Sequence, residues 1–168
     1  MMQAQVQEAL QKIIGLPLNK TTRKDQTQYF HFGSTRFTTS QGLILDVGVL
    51  VLAVDCPWQL QQADGAIINV SEVYLRRREA GLPTAKFDWK EPGANLRDQR
   101  LKEFVNKSSD LKVRQATQEE NGNITITLAD NSILSITPDP AQEQEMYWQL
   151  FSNAGDNFSI TVTPTGIV

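Results

Sequence analysis

The sequence contains one cysteine and one histidine. One cysteine cannot close an intramolecular disulfide, and one of each cannot supply a zinc ligand set. No Asp-rich loop of the calcium-binding kind is present. Neither is a phosphate-cradling glycine loop, because the 10 glycines are scattered singly. These absences imply no metal and no cofactor. A long apolar span is missing too. The most apolar run, 42–54, is too short to cross a bilayer and is interrupted by Asp46. The N-terminus lacks the basic start and unbroken apolar core of a secretion signal, which with the lone cysteine fits a reducing, cytoplasmic setting. A basic excess is absent as well. The net charge is −3 and the pI near 5.2, which argues against a general nucleic-acid binder.

What is present fits one compact domain. The chain has 168 residues, 40% of them hydrophobic, and a domain of that size buries roughly 70% of its unfolded surface without needing a staple. Val6, Leu10, Ile13 and Ile14 share one face, which predicts a helix over 3–14 that Gly15 and Pro17 end. The polar stretch 19–28 reads as a loop. From Tyr29 on, the pattern changes to period two: Phe30 and Phe32 face one way, Tyr29 and His31 the other. The run 42–54 reads as buried strand, with Val49–Val54 apolar on both faces and so central in a sheet. Ala63-Asp64-Gly65 marks a hairpin turn. The Pro- and Gly-bearing stretch 71–95 reads as a long connection with a short helical piece or an edge strand. Asn95 caps a helix predicted over 95–107, with Asp98 in its first turn. The chain after 111 alternates as strands.

An internal echo stands out. Trp-Gln-Leu occurs at 58–60 and again at 148–150, each time before a turn and an apolar strand. Laid side by side, 42–74 and 122–166 both read strand, turn, strand, connection, Trp-Gln-Leu, turn, strand. If the echo is architectural, each tryptophan anchors an equivalent corner of the sheet system.

Chemistry-bearing candidates are few. Cys56 as a nucleophile would need His31 as base and a carboxylate such as Asp55 to orient it. No glycine elbow surrounds Cys56, and Pro57 occupies the place where a helix N-terminus amide would lower its pKa. A lone cysteine ending an apolar strand otherwise reads as a small core residue. The candidates for a cleft or interface are therefore His31, Cys56, Trp58 and Trp89. Trp89, in a Pro/Gly-rich connection, either pins that loop or anchors an interface. Arg76, Arg77 and Arg78 with Arg23, Lys24 and Arg36 could form a basic face, or simply a solvated one. No catalytic residue is assigned.

Several stretches together resemble a known group. "IIGLPL" and "YFHFG", then "LAVDCPWQL", "DGAIINVSEVY" and "NLRDQRL", and finally "EMYWQLF" and "FSITVTPTGI" are similar to uncharacterised bacterial proteins. That group has an apolar strand ending in Cys-Pro-Trp and a closing Trp-centred hairpin. The resemblance implies a bacterial, cytoplasmic, single-domain protein and carries no assigned activity. Other members have Trp-Arg where this chain has Trp-Gln.

The expected fold is α+β. It is predominantly antiparallel, a sandwich or half-open barrel of about eight to ten strands, with helices at the N-terminus and near 95–107. The expected function is a non-enzymatic protein-binding module, for example an immunity-type protein that occludes its partner; enzyme activity is not assigned. The alternatives are a small-molecule carrier or enzyme with a pocket within the sheet, between the two Trp-Gln-Leu hairpins, and self-assembly through exposed strand edges.

Overall fold

The computed structural model describes residues 2–77, 87–107 and 110–168. In chain order the first half holds helix α1 (Met2–Gln11) and strands β1 (Leu18–Lys24), β2 (Thr27–Phe32), β3 (Thr35–Thr38), β4 (Ile44–Val47), β5 (Leu50–Val54), β6 (Trp58–Gln61) and β7 (Ile67–Asn69). A 3-10 turn at Val70–Tyr74 and helix α2 (Leu96–Val105) follow. The second half is β8 (Val113–Gln118), β9 (Ile124–Leu128), β10 (Ile133–Ile136), β11 (Trp148–Ser152), β12 (Ser159–Thr163) and β13 (Gly166–Ile167).

All pairings are antiparallel. One sheet has six strands in the order β1-β2-β5-β11-β12-β13, and a second has five in the order β7-β6-β10-β9-β8. Neither closes into a barrel. Alternation decides which side of each faces in. Phe30, Phe32, Leu52, Trp148 and Leu150 of the first sheet pack in one cluster with Trp58, Leu60, Ile124, Ile126 and Leu134 of the second. Phe30 meets Trp58 edge to face, with ring centroids 5.3 Å apart. Strand β5 is buried along its whole length, as the two-faced apolar run predicts.

The two sheets are joined by a corner at 55–57. The N–H groups of Asp55 and Cys56 both donate to the Tyr147 carbonyl, and Thr137 N–H donates to the Pro57 carbonyl. Both Trp-Gln-Leu strands leave this corner, and they exchange partners. In the first sheet Trp148 stands opposite Val54 and Leu150 opposite Leu52. In the second, Trp58 stands opposite Ile136 and Leu60 opposite Leu134. Each Trp-Gln-Leu strand thus pairs with the strand that precedes the other copy, in the same register. Both tryptophans are buried, and neither indole N–H has a partner.

Helix α1 covers β8 with Val6, Ala9 and Leu10; Ile13, in the turn after it, is buried as well, while Ile14, expected on the same face, is exposed. It ends at Gln11, before the predicted 14, and turns through 12–15. Gln7 fixes its register, donating to the Ala116 carbonyl and accepting from Gln118 N–H. Helix α2 starts as predicted. The Asn95 side chain accepts from Asp98 N–H at 2.7 Å, and Leu101 and Phe104 are buried. Arg97 is fully buried too, which the apolar pattern did not show.

Three expectations change. The stretch 19–28 is not loop but β1, a two-residue turn at Asp25 and the start of β2; Asp25 takes a φ of 51° to make that turn. Its sequence hides the strand because β1 is an edge with polar residues on both faces. The run 42–54 is not one buried unit. Residues 44–47 pair with β3 in a separate two-stranded ribbon, leaving Leu43, Ile44, Leu45 and Phe37 between 45% and 65% exposed. The strands number thirteen among the described residues, rather than eight to ten, because β1, the ribbon and β13 lack the apolar alternation used to find strands. In the 71–95 connection, the helical piece is the 3-10 turn, capped by Asn69. Arg78, Gly81 and Pro83 lie outside the described residues.

Candidate functional site

The sequence candidates do not assemble into one centre. Cys56 sits in the corner between the sheets, 1% exposed, and burial pushes its thiol up to about 12. His31 lies on the outer face of the first sheet, opposite Val51. That is five residues before Cys56 along the chain, on the order of 16 Å by strand rise. The partners of His31 are elsewhere as well. Its Nδ1 accepts the Gly48 N–H at 3.1 Å, and its Nε2 lies 2.8 Å from Thr22 Oγ1. A backbone N–H can only donate, so the ring is neutral with its proton on Nε2. Burial first, then the charge of Lys20, lower its pKa to about 4. The Asp55 carboxylate accepts a hydrogen bond from the Thr27 hydroxyl rather than facing the histidine.

Trp58 is framework, packed on Phe30, with the Arg97 guanidinium 5.5 Å from its ring centroid. Arg97 donates to the carbonyls of Val70 and Gln26. Burial, then the nearby Arg23, lower its pKa to about 10, so it stays charged at neutral pH. Trp89 is half-buried and holds its loop in place. Its carbonyl accepts from Arg23 Nη2 and from Asn95 Nδ2, both at 3.0 Å, and its ring meets Tyr74 edge to face.

The residues that do come together stand out in the sequence only separately, Arg23 in a basic stretch and Asn95 and Asp98 at a helix start. Arg23 on β1 and Asp98 on α2 form a fork-to-fork pair, with Nε–Oδ1 and Nη2–Oδ2 both at 2.9 Å. Asp98 Oδ2 also accepts from Gly93 N–H and Asn95 Nδ2. This knot ties the 89–93 loop, the start of α2 and the end of β1. The basic face suggested for Arg23 is therefore not formed by it.

Beside the knot runs a groove of about 580 Å³ between β1 and α2. Its strand wall is five consecutive residues, Asn19 through Arg23. Successive side chains of a strand point to opposite faces. A cavity touching all five, and Gln28 of β2 as well, lies on the α2 side of β1 against its backbone. The helix wall is Asp98, Lys102, Val105 and Asn106, spaced i, i+4, i+7 and i+8 on one face. Strand β1 is the outermost strand of its sheet. Just before it, residues 16–18 pair with 111–113, but among the described residues no second strand pairs with 19–24.

Comparison with known proteins finds no matching family model, no matching curated protein and no matching solved structure. The groove is therefore read from its own geometry.

A second cavity, of about 370 Å³, lies at the root of the β3–β4 ribbon beside His31, Lys20, Asp46 and Gly48. Neither cavity is lined by the Trp-Gln-Leu strands, whose inward side chains fill the core between the sheets. Among the described residues no three His, Cys, Asp or Glu side chains cluster as a metal site, and no helix is long and apolar enough to cross a membrane. The groove was illegible because its walls are far apart in sequence: Arg23 and Asp98 are separated by 75 residues. The one available signal was a Thr-rich polar stretch, "NKTTRK", directly before a clear strand.

Proposed function

We propose that this protein is a non-enzymatic protein-binding module of a bacterial cytoplasm. It takes up an extended segment of another protein as an added strand beside β1. The observation that carries this reading is the groove between the free edge of β1 and one face of α2. An edge strand presents unpaired N–H and C=O groups that template a further strand. A helix alongside turns that edge into a slot, where ladder hydrogen bonds supply affinity and the helix wall supplies selectivity. An immunity-type role is one form of such binding, in which the module covers its partner's working surface.

Catalysis finds no support in the same geometry. The only thiol is buried and protonated, and the only imidazole has both ring nitrogens engaged.

The test places a photo-crosslinking residue at Thr21 in the groove and, separately, at Gln115 on the exposed face of the other sheet. The expected result is a partner captured from Thr21 but not from Gln115, with capture abolished by Val105→Trp, which fills the groove. Capture unchanged by Val105→Trp overturns the reading. So does a small ligand that raises the melting temperature while no protein cross-links.

A further inference from the structure

The groove has a charge of its own. Three cations line it, Lys20, Arg23 and Lys102, against one carboxylate, Asp98. Arg23 and Asp98 neutralise each other in their bidentate pair. Asp98 is further occupied by Gly93 N–H and Asn95 Nδ2, so its oxygens are committed to the protein. Lys20 donates to the Asp46 carbonyl at the root of the ribbon, beside the second cavity, so its ammonium stands outside the groove. Lys102 is exposed on the last turn of α2 and has no ion pair or hydrogen bond among the described residues. With Arg23 and Asp98 paired, the groove is left with the uncompensated charge of Lys102, on a chain whose net charge is −3. A local field opposed to the whole attracts a segment of one sign and repels the other. Val105 and Pro92 add apolar wall between the charges.

We infer that the segment this groove accepts is acidic: an extended run of about five residues, from the length of the strand wall at roughly 3.3 Å each, that turns Asp or Glu together with small aliphatic side chains toward α2. This rests on the strand-addition reading above. Every second side chain of an added strand turns toward the same wall. On the helix side a carboxylate meets Lys102, and an aliphatic side chain two residues away covers Val105. A basic segment meets uncompensated like charge instead.

The experiment is selection of random octapeptides displayed on phage, against the wild-type protein and against Val105→Trp. The peptides retained by wild type alone are then sequenced. The expected outcome is enrichment in Asp and Glu. The best peptide, made with a fluorophore, is measured by anisotropy in three forms: as selected, with Asp and Glu changed to Asn and Gln, and with alternate backbone amides N-methylated. The amide-neutral form and the Lys102→Gln protein are each expected to weaken binding about tenfold, 1.4 kcal/mol. N-methylation is expected to abolish it in one of its two frames. Circular dichroism checks that both variants keep the wild-type fold.

Selected peptides without acidic bias, but sensitive to N-methylation, overturn the acidic inference and leave strand addition standing. Acidic peptides insensitive to N-methylation in either frame overturn strand addition. No peptide distinguishing wild type from Val105→Trp overturns both.

Discussion

Arg23 and Asp98 meet through two parallel hydrogen bonds of 2.9 Å, with side-chain exposures of only 4% and 14%. They tie the edge of the first sheet to the first turn of α2, and the 89–93 loop hangs on them through the Trp89 carbonyl and Gly93 N–H. Removing one member of a buried pair strands the other's charge. Arg23→Ala is therefore expected to cost about 3 kcal/mol, in the range typical of such losses. Urea unfolding reads this directly, and a loss below about 1 kcal/mol would show that water reaches the pair.

The pH response is expected to centre on His31. Its folded pKa, about 4, lies below the ordinary value of 6.5, so the folded state binds fewer protons than the unfolded chain. The contribution of the neutral ring is complete above pH 6.5 and is lost as pH falls from there through 4. The slope in that window is up to about 1.4 kcal/mol per pH unit. Protonation also takes from Gly48 N–H its acceptor, which loosens the root of the ribbon. Urea midpoints across that window, with NMR titration of the ring, check the effect. A titration midpoint near 6.5 contradicts it.

Gly48 also lies close against the His31 backbone. A Cβ there would lie 2.8 Å from the Leu50 carbonyl oxygen and 2.9 Å from His31 Cα, both backbone atoms with little room to yield. Gly48→Ala is expected to destabilise by about 1–3 kcal/mol, measured by thermal or urea unfolding. A neutral result shows that β5 shifts freely at its start.

Cys56 is expected to be inert in the folded protein. With its thiol buried and pushed up to about 12, native protein at pH 8 should not react with a thiol-specific disulfide reagent on the timescale on which denatured protein reacts fully. Cys56→Ala should keep any binding activity. Fast labelling of native protein, at a rate above that of global unfolding, contradicts the assignment.

The ribbon and the core should answer mutation oppositely. Trp148→Ala removes a fully buried indole and is expected to cost about 3–5 kcal/mol. Leu43→Ser and Ile44→Ser, at 60% and 65% exposure, should each stay within about 0.5 kcal/mol of wild type. Chemical denaturation separates the two classes.

Much of the fold was legible where one residue's neighbours in sequence decide its place. The alternation around Phe30 and Phe32, the two-faced run ending at Val54, and the Asn95 cap are local signals, and each stands as read. Asn131 supplies the left-handed residue where the usual glycine is missing from the 130–131 turn, with φ 72°. What sequence did not reveal depends on distant partners. Apolar character told that Leu43–Leu45 could be buried, but not that β3 is their only companion. Polarity told that β1 could be solvated, but not that it bounds a sheet. The pairing of Arg23 with Asp98 rests on the tertiary path alone.

The exchange of Trp-Gln-Leu partners has a consequence for how the chain reaches its native state. Each half carries a strand that finds its neighbour only in the other half, so neither can finish a sheet while it is alone. A ribosome-bound chain that ends before residue 148 leaves β5 with one side open. Contacts of such long sequence separation form late and slowly. The molecule should therefore fold as one cooperative unit, with no stable half, and two separately expressed fragments split between α2 and β8 should be unstructured apart and recover the native spectrum only when mixed.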